Sequence, residues 1–210
     1  MIHFDLATGH PSLQRDPFKA IVAPRPIGWI STLDADGRPN LAPYSYFNAI
    51  GENPAMVMFS SVGLKHSLAN VLATGEFVCN LATYALREQV NATSAPLPAG
   101  SDEFAFAGLT PAPCVAVKPP RVAESPAALE CVLLKTVELA DRLGRTVKNT
   151  MVIGEVVGVH LDERVIVDGR VDPGRLNAIT RLGGPNYAVA GPEAIFVMQR
   201  PPGGEGSGRG

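Results

Sequence analysis

Apolar positions change period several times along this chain. From Ile27 to Leu33 ("IGWISTL") they alternate in part and include β-branched and aromatic residues, as a half-buried strand requires. "DADG" (Asp34–Gly37) follows, a turn with glycine for the positive-φ position. "RPNLAPYSYF" then runs back. The pair predicts a β-hairpin, with Pro39 and Pro43 confined to ends, edges or irregularities. "AMVMFSSV" (Ala55–Val62) predicts a third strand between Asn53-Pro54 and Gly63. In "KHSLANVLATGEF" (Lys65–Phe77) the period changes: Leu68, Val71 and Leu72 take helical spacing, and Gly75 supplies a stop. A strand returns in "FVCNLA" (Phe77–Ala82). "YALREQVNATS" (Tyr84–Ser94) predicts a second short helix with Leu86 and Val90 on one side. The next stretch, "APLPAGSDEFAFAGLTPAPC", is broken by Pro and Gly and reads as a long surface excursion.

Strand dominates the second half. "ALECVLLKTVELA" (Ala128–Ala140) and "TMVIGEVVGVHLD" (Thr150–Asp162) predict two arms of a hairpin, with Gly154 and Gly158 as bulge or bend sites. "RVIVDGRVD" adds a short strand or edge. Short strands joined by turns, with two short helices, give a mainly β fold: an antiparallel barrel or sandwich with helical insertions. Strand–helix alternation occurs only near Lys65–Ala82, which argues against a doubly wound sheet. No repeat or composition break divides the chain. One domain is expected over residues 1–202, followed by a flexible glycine-rich tail at 203–210.

Composition narrows the function classes. The chain has 210 residues, 46% hydrophobic and 18% charged, which is globular and large enough for a real core. A formal net charge of −2 gives no global attraction to nucleic acid or anionic membrane. There is no apolar run of membrane-spanning length and no basic-then-apolar leader, so a cytoplasmic protein is expected. Cys79, Cys114 and Cys131 lie far apart without a C-x-x-C pair and read as buried free thiols. The sequence lacks G-x-G-x-x-G, the P-loop, G-x-S-x-G and H-E-x-x-H. "HLDE" (His160–Glu163) sits at a strand end and reads as a solvated turn.

An enzyme without conspicuous acid–base residues can delegate its chemistry to a cofactor. A flavin presents a polar edge, a flat apolar face and an anionic tail. Small polar side chains and backbone suit the first, aromatics and proline the second, and Lys or Arg with hydroxyls the third. The stretch Ala23–Ile50 and the one after it contain all three types.

Five segments carry a resemblance: "PRPIGWIST" (Pro24–Thr32), "NLAPYSYFNAI" (Asn40–Ile50), "MVMFSS" (Met56–Ser61), "KHSLANVLATGEFVCNL" (Lys65–Leu81) and "ITRLGGPNYA" (Ile179–Ala188). In this order they resemble the flavin reductase-like, FMN-binding split-barrel family, in its flavoredoxin-like branch. The resemblance implies a Greek-key split β-barrel and a homodimer with flavin near the subunit interface. It also implies reduction of flavin by NADH or NADPH, with electrons passed to a monooxygenase or another acceptor. The cofactor implied is FMN, with FAD the alternative. An electron carrier and a flavin-binding protein without turnover remain open readings. Family members often carry Lys-Asp-Thr or Lys-Asp-Ser where this chain has Lys65-His66-Ser67, so charge and hydroxyl persist while the middle residue differs.

The resemblance marks candidate flavin contacts, each with an ordinary structural alternative. Ser31 and Thr32 bind flavin or its ribityl chain, or line a wet strand face. Trp29 walls the pocket, or fills the core or an interface. Arg25, stiffened between prolines, places a charge near an anion or a carbonyl, or joins a surface salt bridge. From the run Tyr44–Ala49, Ser45 and Asn48 with backbone near Phe47 and Ala49 face the flavin, while Tyr44 packs. Ser60, Ser61, Lys65, His66 and Ser67 form a strand–loop–helix step, where free N–H groups and a positive dipole end suit phosphate; the alternative is a plain serine cap. Asn80 closes the pocket floor or satisfies buried backbone. Arg181, before Gly183-Gly184, brings charge to the flavin or partner, or belongs to a turn. No catalytic acid or base and no metal is expected.

Overall fold

The computed structural model describes residues 1–14, 17–98 and 100–201, so the tail expected at 203–210 lies outside the described residues. In chain order, α1 (Phe18–Ile21) and β1 (Arg25–Pro26) lead into the hairpin β2 (Gly28–Leu33) and β3 (Pro39–Tyr44). β4 (Phe47–Glu52) and β5 (Ala55–Val62) form a second hairpin, followed by α2 (His66–Thr74), β6 (Glu76–Leu81), α3 (Arg87–Ala92) and α4 (Glu103–Ala107). Two short strands, β7 (Pro111–Ala112) and β8 (Arg121–Val122), precede the long hairpin β9 (Ala127–Ala140) and β10 (Thr146–Leu161). β11 (Ile166–Val167), β12 (Arg170–Val171), α5 (Pro173–Leu176), β13 (Ala178–Arg181) and β14 (Tyr187–Ala190) complete the order.

Seven strands form one antiparallel sheet in the order β3-β2-β6-β9-β10-β5-β4. Its two edge strands, β3 and β4, are joined by only Ser45 and Tyr46. Two residues cannot cross the width of a seven-stranded sheet, so the sheet must curl until its edges meet. The seam stays unpaired as a ladder, although the Ser60 N–H donates to the Tyr46 carbonyl at 2.9 Å beside it. This is the split barrel. Pro39 and Pro43 both lie on edge strand β3, where a missing donor costs no ladder bond.

The barrel interior holds Ile30, Tyr44, Val57, Phe59, Phe77, Cys79, Cys131 and Val152, and Leu68 and Val71 of α2 plug one end. Gly75, in the left-handed region at φ 74°, ends that helix. A second cluster lies outside β2 and β3: Trp29, Leu41, Val90, Phe104, Val122 and Ile179, brought by α3, α4, β8 and β13. β2 is therefore buried on both faces.

Three features depart from the sequence expectations. The excursion after Ser94 contains α4, capped by the Asp102 carboxylate on the N–H groups of Phe104 and Ala105, and buries Phe104 fully. The run after Tyr46, to which the pattern of apolar positions assigns no element, is a strand, β4, because it pairs along β5. Alternation also restarts at the two-residue link, so Tyr44 and Phe47 both pack on the barrel core. The bulges expected at Gly154 and Gly158 occur, as register shifts at Ile153/Gly154 and Val156/Gly158.

Candidate functional site

A cleft of about 450 Å³ opens at the split. Its floor is the β3–β4 link, Tyr44, Ser45 and Tyr46, with Ser60 of β5 beside it. One wall is the start of α2, with Lys65, His66 and Ser67; the other is the segment Thr93–Leu97 with Glu103. The cleft thus unites five of the expected residues: Ser45, Ser60, Lys65, His66 and Ser67.

The helix start is not a plain serine cap. Lys65 occupies the N-cap position in extended conformation, and no side chain caps the first turn. The N–H groups of the first turn have no intrahelical acceptor and form the positive end of the dipole. Ser67 instead turns its hydroxyl to accept from the Asn40 amide at 3.0 Å, both residues being buried. Lys65 and His66 are exposed. The Tyr44 hydroxyl is buried near the Ser67 and Ser61 hydroxyls yet makes no hydrogen bond of good geometry. Burial pushes its pKa up, and the two serines pull it partly back. Burial also raises the Glu103 carboxyl, offset in part by backbone N–H groups, Leu41's among them, and by His66 across the cleft.

The other expected residues lie elsewhere. Ser31 and Thr32 are wholly buried rather than on a wet or ligand-facing surface, because α2 and the segment before β8 cover β2. The Ser31 hydroxyl donates to the Pro120 carbonyl at 2.6 Å, and Thr32 accepts from Asn70 of α2 at 3.0 Å. Asn80 takes its structural alternative: its amide donates to the Trp29 carbonyl and the Ser31 hydroxyl, and its oxygen accepts from the Val122 N–H at 2.7 Å. Trp29 fills the second cluster, and its indole N–H donates to the Thr93 hydroxyl at 2.9 Å. It fixes the start of the cleft's far wall without lining the cleft.

Arg25 is nearly buried and gives its guanidinium to the carbonyls of Lys19, Val22 and Leu182. It meets carbonyls, neither an anion nor a carboxylate. Arg181 pairs opposite it in register, stacks on Tyr187 at 4.5 Å and donates to the Gly184 carbonyl. Ser61 is buried with its hydroxyl on the Gly63 carbonyl. Phe47, Asn48 and Ala49 continue from the cleft floor along β4; the Asn48 side chain accepts from the Ala49 N–H at 2.9 Å.

Sequence reasoning missed Asn40, the Tyr44 hydroxyl, Thr93–Leu97 and Glu103. An N-cap signal was legible for the last, since Asp102 precedes a short apolar run.

Fold and cleft together define the class: a flavin reductase-like split barrel. The flavin reductase like domain matches residues 22–172, and the chain belongs to that family. An uncharacterised relative from Aquifex aeolicus is 35% identical over 176 residues, covering 81% of this chain and 86% of its own length. The solved structure of nitrilotriacetate monooxygenase component B from Bacillus cereus is similar with a TM-score of 0.83 at 30% identity, over 94% of this chain and 98% of that one. The 2-nitrobenzoate 2-nitroreductase NbaA of Pseudomonas fluorescens gives 0.82 at 26% identity, over 98% and 100%. Flavoredoxin of Desulfovibrio vulgaris gives 0.75 at 24% identity over 85% and 91%, a likeness of fold.

Proposed function

We propose that this chain binds FMN in the cleft and works as an NAD(P)H-dependent flavin reductase, passing electrons from NADH or NADPH to an acceptor. The observation that carries the reading is the uncapped start of α2 facing a cleft that also holds Lys65 and an unpartnered, buried Tyr44 hydroxyl. Free N–H groups, a dipole and an ammonium at one point suit a phosphate. The volume is that of a small-molecule site.

In this reading the Lys65 ammonium and the first N–H groups of α2 hold the phosphate, with His66 beside them. Ser45, Ser60 and the backbone of residues 45–49 meet the polar edge of the ring system, and the Tyr44 hydroxyl donates or accepts at the floor. Ser31, Thr32, Asn80 and Trp29 act at one remove by holding β2, α2 and the 93–97 wall in place. Arg25 and Arg181 fix the β1–β13 pair. When bound, FMN supplies a two-electron carrier that a nicotinamide can reduce. The protein supplies position and exclusion rather than a strong acid or base.

Likeness to a monooxygenase component supports one acceptor class, a separate oxygenase that takes reduced flavin. We also infer a cytoplasmic homodimer. Its support is exposed apolar surface: Val132 and Leu134 of β9, Val157 and Val159 of β10, and Phe196, Val197 and Met198 after β14. No helix among the described residues is long and apolar enough to cross a membrane. Light scattering across a wide concentration range, with flavin bound, should give twice 22.1 kDa; a monomer mass throughout rejects the dimer.

The test of function is titration with FMN, FAD and riboflavin, followed by NADH and NADPH oxidation with and without added flavin. FMN should bind tightest, and turnover should saturate with added FMN. A protein that is blind to all three flavins defeats the reading. A protein that holds FMN but does not oxidise either nicotinamide is a carrier instead.

A further inference from the structure

Outside the cleft, three side chains of metal-ligating type meet. Cys114 comes from the loop between β7 and β8, Glu130 from β9 and His160 from the end of β10. One donor atom from each lies within 4.8 Å of the other two. His160 is thus no part of a solvated turn, and Cys114 is only half-buried, unlike Cys79 and Cys131.

The carboxylate is built into place. Glu130 is 2% exposed and accepts the N–H groups of Val115, Ala116 and Val117. Its Oε1 contacts His160 Nε2 at 2.7 Å. Gly158 sits opposite Glu130 across the ladder, at the bulge, and a Cβ there would approach the carboxylate carbon to 3.1 Å. The glycine therefore makes room for this group.

We propose that Cys114, Glu130 and His160 form a three-ligand site for a zinc-type divalent cation, with water in the fourth position. Sulfur, nitrogen and oxygen donors together are the set that Zn²⁺ accepts in tetrahedral geometry. One thiolate and one carboxylate neutralise a dication, so no net charge is buried. Cys114 and His160 are partly exposed and give the ion and its water a way in. The Ala116 and Val117 N–H groups on the second carboxylate oxygen hold the ligand's orientation, as outer partners do in metal sites.

Binding needs a modest contraction. Metal–ligand bonds of about 2.0–2.3 Å place donor atoms ~3.5 Å apart, so the Cys114 loop moves inward by roughly 1 Å while the 2.7 Å His–Glu contact opens slightly. Protons balance: the thiol releases one to solvent, and the imidazole's single hydrogen moves through solvent from Nε2, where it bridges to Glu130 Oε1, to Nδ1, so that Nε2 can ligate. The ion replaces the hydrogen between Nε2 and Oε1. It ties the β7–β8 loop to the β9–β10 hairpin.

The alternative is a His–Glu hydrogen bond with an uninvolved thiol. Chelator-treated protein titrated with Co²⁺ separates the two. The expected result is one equivalent bound, a near-ultraviolet sulfur-to-cobalt charge-transfer band, and displacement by Zn²⁺ with a rise in Tm. Cys114→Ser should abolish the band, and both Cys114→Ser and His160→Gln should weaken Zn²⁺ by about tenfold or more. Both positions are partly exposed, so both variants should fold. A wild-type spectrum without the band, a band surviving in Cys114→Ser, or equal Zn²⁺ affinity in all three proteins overturns the proposal.

Discussion

Strand β2 and helix α2 lie against each other, and both are rich in small polar side chains. On β2, Ser31 and Thr32 spend their hydroxyls on Pro120 and Asn70, and Asn80 binds the strand from its neighbour through two contacts while its oxygen accepts from Val122 of β8. On α2, the first-turn N–H groups, Lys65 and the nearby Tyr44 hydroxyl have no such partners. The residue types are alike; what differs is whether their hydrogen bonds are already made. A buried polar group with all partners in place stabilises a fold, while one left open to a cleft is ready for a ligand. The two regions should therefore separate under mutation, stability following β2 and ligand affinity following α2.

The largest effect is expected at Asn80. Asn80→Ala strands the Val122 N–H and the Trp29 carbonyl in the interior, at a cost of about 3 kcal/mol in stability. Urea unfolding measures it. FMN affinity of the folded fraction should stay within about threefold of wild type. A stable variant that has lost FMN would move Asn80 back to the ligand site and erase the contrast.

Lys65→Ala is the mirror case. Loss of one charge-assisted contact should weaken FMN by about 1.5–3 kcal/mol, one to two decades, with Tm unchanged because Lys65 is exposed. Riboflavin, which lacks the phosphate, should bind almost as before. Fluorescence titration of both flavins decides. Equal losses would take the phosphate away from α2.

Thr32→Val sharpens the contrast at the point where the two regions touch. It keeps shape but leaves the Asn70 amide without its acceptor, which costs about 1 kcal/mol. A small shift of α2 should then lower FMN affinity by no more than a fewfold. A decade or more lost at unchanged stability would mark Thr32 as a direct contact.

The same contrast explains what could be read from sequence. The β2–β3 hairpin, β5, α2 with its glycine stop and the β9–β10 hairpin with its bulges were legible, because their period and turn residues are local. β4 was not, since "FNAIGE" lacks an apolar face and becomes a strand only by pairing with β5. α4 was hidden among prolines and glycines. At the site, Ser60, Lys65, His66 and Ser67 reach the cleft together because they belong to one local strand–helix step, and Ser45 joins them from the β3–β4 link. Ser31, Thr32, Trp29 and Asn80 were not separable from them, because sequence shows alternation but not that both faces of β2 are covered. Arg25 was legible as a charge on a stiff segment, yet its carbonyl partners come from α1 and from Leu182, far along the chain.

The smallest expected effect is at Glu103, which among the described cleft residues combines burial with a negative charge opposite Lys65 and His66. Burial raises its pKa above the ordinary carboxylate value. An acid raised in the folded state binds its proton more tightly there than in the unfolded chain. Its contribution to stability is therefore full below the ordinary value and is lost as pH rises through the raised one, staying lost at neutral pH. Glu103→Gln keeps an oxygen to accept the Leu41 N–H but carries no charge. Across that window the Tm difference should move in the variant's favour as pH rises, and at neutral pH the variant should be slightly the more stable. The same change removes a negative charge from a cleft that would receive a phosphate, so FMN should bind about two- to fivefold tighter, less so at high salt. Melting curves from about pH 4 to 7 and FMN titrations at two ionic strengths read both effects. If Glu103→Gln is instead less stable at neutral pH and indifferent to FMN, Glu103 belongs with Asn80 among the groups that hold the fold, and the anion site ends at α2.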